Sequence, residues 1–90
     1  MTRAKIERLF EDLAGQGEML VVNGFDAAFL GIEIEYTEPP CAVYRAVYSV
    51  NKCITLLARE MSHDEASEYF WFNVAPGYVG QGSPVWVHTP

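Results

Sequence analysis

The sequence predicts a single α+β domain over residues 1–90, a small antiparallel sheet of about three strands packed against two or three helices. Three observations predict it. Apolar residues recur at helical spacing near the N-terminus and again in the second half of the chain, "LGIEIEY" alternates strictly, and 50% hydrophobic residues outweigh 20% charged ones. Ninety residues are enough for one core, with little stability to spare.

The first helix is expected near 3–14. Ile6, Leu9, Phe10, Leu13 and Ala14 form one stripe, Thr2 can cap its start, and Gly15 and Gly17 can end it. Asn23-Gly24 then suits either a two-residue hairpin turn after "MLVV" or an ordinary turn into a short helix at "FDAA". The alternation at 28–36 predicts a strand with Leu30, Ile32, Ile34 and Tyr36 on one side and Glu33 and Glu35 on the solvated other. Pro39-Pro40 breaks the chain, and "CAVYRAVY" resumes as a second strand, 42–48, whose simplest pairing is antiparallel.

Ser49 should cap a helix near 50–60, with Val50, Cys53, Ile54, Leu57, Ala58 and Met61 inward. Cys53 on that stripe reads as a small packed hydrophobe and not as a reactive thiol. Ser62 and Glu65 have capping-box spacing, so the acidic run from His63 to Glu68 reads as a helix start and not as a metal or catalytic cluster. That helix, near 63–74, should direct Ala66, Tyr69, Phe70 and Asn73 to one face, with Trp71 and Phe72 widening the arc. Asn73 is expected to be a buried amide pinning the following "VAPGYVGQGSP" by hydrogen bonds. Gly80 and Pro84 belong to that loop, whose glycines match neither a P-loop nor a dinucleotide fingerprint. A last strand at 84–88 puts Val85 and Val87 on one face and Trp86 and His88 on the other.

The net charge of −6, twelve acidic residues against six basic, argues against a nucleic-acid backbone or an anionic membrane as direct partner. A basic surface on another protein is the better complement. "MTRAKIERLF" has charges inside its apolar pattern and so does not read as a signal peptide, and no apolar run approaches a membrane span. The expected compartment is the cytosol, with Cys41 and Cys53 reduced. Two histidines and two unrelated cysteines assemble neither a nucleophile–base pair nor a metal-ligand spacing, so no catalytic residue, metal or cofactor is expected.

In "AFLGIEIE", "AVYSVNKCITLL" and "MSHDEASEYFWFNVAPGYVGQGSPVWV" the chain resembles a family of small, functionally uncharacterised proteins of tailed-phage and prophage genomes. Its members carry an M-[ST]-x-E-E-A-x-E-[YF]-x-x-[FY]-N-x-x-G-A-Y-V-G-x-x-T-P tail. Met61, Ser62, Glu65, Ala66, Glu68, Tyr69, Phe72, Asn73, Tyr78, Val79, Gly80 and Pro84 match it, whereas Asp64, Pro76-Gly77 and Ser83 depart from it. The likeness runs from Phe25 onward. It implies a phage origin, a bacterial host cytosol and an α+β fold, and brings no catalytic residues.

The function expected from these readings is that of a non-enzymatic accessory protein that binds and inhibits a host protein, in a counter-defence role. Glu33 and Glu35 are candidate binding acids, with Tyr78 and Trp86 as candidate aromatic surfaces. Two alternatives stay open: a sponge for a small molecule or nucleotide signal, stacking it on Tyr78 and Trp86, and a small oligomeric structural protein. The aromatic bulk of Tyr44, Tyr48, Trp71 and Trp86 points to a partner or homo-oligomer surface.

Overall fold

The computed structural model describes residues 2–14, 19–36, 42–77 and 82–90. Helix α1, Arg3–Ala14, starts as its sequence demands. The Thr2 hydroxyl accepts from the Lys5 N–H at 3.3 Å and its carbonyl from the Ile6 N–H at 3.1 Å. Ile6 is fully buried, while Leu13, at the far end of the same stripe, is 46% exposed. The Arg3 guanidinium ties α1 to the next segment, donating to Asp26 at 3.2 Å, to Asn23 Oδ1 at 3.0 Å and to the Val22 carbonyl at 3.3 Å.

Of the two readings of Asn23-Gly24, the ordinary turn is the one formed. Gly24 holds a positive φ of 89°, and a 3-10 turn at Asp26–Ala28 follows. Strand β1, Phe29–Tyr36, pairs antiparallel with β2, Ala42–Ser49. The register slips between Phe29 and Gly31, which face Tyr48 and Val47, so that Leu30 is an extra residue opposite the shared ladder. This bulge corrects the expected facing of Leu30. Phe29 is buried in its stead and Leu30 is 43% exposed, because a shift of one residue is what lets both Phe29 and Ile32 reach the same apolar side.

The sheet has the order β1-β2-β3, with β3 at Val85–Val87. It is mixed and not wholly antiparallel, since Val47, Tyr48 and Ser49 pair in parallel with Val85, Trp86 and Val87. Parallel neighbours need a long crossover, and the segment between Ser49 and Val85 supplies one that contains most of the helical residues.

Helix α2, Val50–Leu57, is capped by Ser49, whose hydroxyl accepts from the Lys52 N–H at 3.2 Å and lies 2.7 Å from the Thr89 hydroxyl. Val50, Cys53 and Ile54 are buried, as the stripe predicts, and burial pushes the Cys53 thiol up to about 12. Helix α3, His63–Tyr69, continues into a π turn at Phe70–Val74 and a 3-10 turn at Ala75–Gly77. An uninterrupted helix over 63–74 is therefore corrected. Pro76 has no N–H and its ring would strike the carbonyl four residues back, so the α pattern cannot run through it. The wider turn is closed by the Ala75 N–H on the Phe70 carbonyl, and it brings Ala66, Phe70 and Val74 to one buried face.

The core joins Ile6, Val22, Phe25, Phe29, Ala46, Tyr48, Cys53, Ala66 and Phe70. Tyr48 is its centre, fully buried, its ring edge-on to Phe29 at 5.7 Å and tilted against Trp86 at 5.6 Å. Its hydroxyl accepts from the Val22 N–H at 3.0 Å, which satisfies a backbone donor that no strand partner serves.

Candidate functional site

Among the described residues, the largest group of exposed aromatic side chains lies on and around α3. The aromatic run from Tyr69 to Phe72 cannot be hidden by one helical face: residues at consecutive positions point about 100° apart. Phe70 goes inward and stacks edge-on with Trp86 at 5.1 Å. Tyr69 is left 46% exposed, Trp71 44% and Phe72 78%. Trp71 leans on the His88 ring at 6.3 Å, whereas Phe72 projects furthest into solvent.

Two depressions adjoin this surface, and Tyr69 and Asn73 line both. The first, of about 360 Å³, is mainly apolar, with Val22, Phe25, Leu56, Leu57 and Val74 in its wall. The second, of about 560 Å³, is lined by Glu60, Met61, Glu65, Glu68 and Phe72. Ser62 caps α3 by accepting from the Glu65 N–H at 3.2 Å, and its hydroxyl donates to the Glu65 carboxylate at 3.0 Å. The capping chemistry thereby fixes where Glu65 stands. Glu60, Glu65 and Glu68 form no ion pair among the described residues, whose salt bridges are those of Arg3 with Asp26 and of Arg45 with Glu33 and Glu35.

The residues singled out from sequence fall in different places. Glu33 and Glu35 are exposed on the other face of the sheet, where both accept from Arg45 on the neighbouring strand. The bonds that Arg45 donates to Glu35 and then to Glu33 hold its pKa above the ordinary value, so the charge of this pair of acids is partly met within the chain. Trp86, expected as a stacking surface, is half-buried between Tyr48 and Phe70 and serves the core. Pro84 is buried, while Tyr78 and Gly80 lie outside the described residues. Asn73 is exposed and not a buried amide, because the π turn carries Val74 into the position that an unbroken helical period would have given Asn73.

Glu60, Glu68, Tyr69 and Phe72 were missed as site residues. The signal was available: four aromatic residues at successive positions, 69–72, next to carboxylates with no nearby cation but Arg59. Among the described residues no group of three or more His, Cys, Asp or Glu could hold a metal ion, and no helix is long and apolar enough to cross a membrane.

Two substitutions follow from this geometry. Asn73→Leu is expected to shift stability by no more than about 0.5 kcal/mol, as an exposed position does, whereas Ser62→Ala should cost about 1 kcal/mol through the lost cap. Thermal melts of both variants beside the parent check the pair, and a large loss in Asn73→Leu would contradict the exposed placement.

Compared with protein-family models, with curated proteins and with solved structures, the chain finds no match in any of the three.

Proposed function

We propose that the chain is a non-enzymatic binding protein that engages a basic surface on another protein, a host protein if the tail motif of residues 61–84 marks a phage accessory protein. The observation that carries this reading is Phe72, 78% exposed beside Tyr69 and three carboxylates without a cation partner among the described residues. An apolar ring held in water on a small domain is the composition of an interface centre, and the acids around it favour and steer a cationic partner. The same acids disfavour a nucleotide or any other phosphate ligand, and Trp86, half-buried against Tyr48 and Phe70, offers less of its ring to a nucleotide than an exposed aromatic would.

Affinity capture from a bacterial lysate, with mass spectrometry of proteins and of released small molecules, tests this. A protein partner is expected, with an affinity that falls as salt rises from about 50 to 500 mM, over which the Debye length shrinks from about 14 to 4 Å. The double variant Glu65→Lys/Glu68→Lys should weaken it on the order of tenfold, equivalent to about 1.4 kcal/mol. A captured nucleotide without a protein, or an affinity indifferent to salt, would refute the reading.

A further inference from the structure

We infer that the two adjoining depressions form one groove for a peptide segment of the partner, which seats a bulky apolar side chain against Leu57 and Val74 and lays lysine or arginine over Glu65 and Glu68. This rests on the reading of the chain as a binder of basic surfaces. It adds where that surface docks and what it must carry besides charge.

The two parts adjoin, since Tyr69 and Asn73 belong to the walls of both. Its apolar part, about 360 Å³, sits at the lower end of the range of roughly 300–1,000 Å³ typical of small-molecule sites, and is open-sided. That suits one large side chain presented from outside better than a wholly enclosed ligand. The acidic part, with Glu60, Glu65, Glu68 and the Phe72 ring, suits a lysine or arginine, whose aliphatic stem can lie on the ring while its charge reaches a carboxylate.

A second copy of the chain is the poorer occupant on charge. Arg3 and Arg45 are engaged by Asp26 and by Glu33 and Glu35. Lys52 and Arg59 are single exposed charges well apart in the chain, with the exposed Glu60 next to Arg59. On α1 the exposed Lys5 and Arg8 stand with exposed Glu7, Glu11 and Asp12. The helix richest in cations therefore presents more exposed negative than positive charge, and no other element among the described residues offers a row of cations. The complementary segment is on another protein.

The probe is a fluorescein-labelled amphipathic peptide of about 18 residues, five helical turns, made of Leu and Lys. Two control peptides accompany it, one with Glu for every Lys and one with Ser for every Leu. Fluorescence anisotropy with the full chain should show the Leu/Lys peptide bound, and both controls at least about tenfold weaker. Glu68→Lys and Phe72→Ala, both at exposed positions, should each weaken the Leu/Lys peptide by about tenfold with an unchanged melt.

Equal binding of the Ser/Lys peptide would overturn the proposal, since charge alone would then suffice. Leu/Lys binding untouched in Glu68→Lys/Phe72→Ala would overturn it as well, as would a dimer in sedimentation that Glu68→Lys dissociates. The broader reading fails separately. A captured basic protein that still binds this double variant in a salt-dependent way removes the groove and keeps the binder, whereas a captured partner indifferent to salt removes both.

Discussion

Replacement of Tyr48 by Ala is expected to leave the domain largely unfolded at 37 °C. The ring is fully buried against Phe29 and Trp86, and removing so large a side chain from a core costs about 3–5 kcal/mol. The Val22 N–H loses its acceptor at the same time, which adds about 1–3 kcal/mol unless water enters. A 90-residue domain holds on the order of 5–10 kcal/mol in total, so the two losses together consume most of it. Tyr48→Phe separates them: it keeps the ring and removes only the acceptor. Its expected cost of about 1–3 kcal/mol corresponds to roughly 4–8 °C of melting temperature per kcal/mol. A melt of Tyr48→Phe that matches the parent would mean that the Val22 N–H is not held by this hydroxyl.

Phe70→Ala should cost about 3–5 kcal/mol, and Phe72→Ala no more than about 0.5 kcal/mol. The two rings are two positions apart on one turn, yet Phe70 is fully buried between Trp71 and Trp86 while Phe72 is 78% exposed. Urea denaturation of the two variants reads the difference as a large shift in midpoint for the first and almost none for the second. Comparable losses in both would show that this part of the helix is seated differently on the sheet. The comparison also bears on function, because only a ring that is dispensable for folding is available to a partner.

Features decided within a few residues were legible in the sequence. Ser49 and Ser62 cap their helices because a hydroxyl and the N–H three residues later are neighbours whatever the rest of the chain does. The stripe of Val50, Cys53 and Ile54 was legible for the same reason. Features decided by competition between distant residues were not. Leu30 faces outward because Phe29 and Ile32 claim the inner side together, which a strict alternation cannot express. Asn73 is exposed because Phe70 and Val74, spaced by four, are drawn to one face through a turn wider than the regular period. The parallel entry of β3 depends on the path of the crossover, about which the three residues of the strand carry no information. In the candidate site, the acids beside Ser62 are visible but read as capping, and the outward turn of Phe72 follows from its place about 200° round the helix from the buried Phe70.

The position of β3 has a consequence for the order in which the molecule assembles. The β1–β2 hairpin joins residues close in sequence and can form early, whereas β3 must wait for the crossover helices before its short edge finds β2. Until then Val47, Tyr48 and Ser49 offer unpaired backbone groups along an open strand, the kind of edge that recruits a strand from a neighbouring chain. The closing segment from another copy fits that edge as well as the chain's own does. Hydrogen exchange during refolding should protect β1 before residues 85–87, and crowding at high concentration in that interval favours exchange of C-terminal segments between molecules.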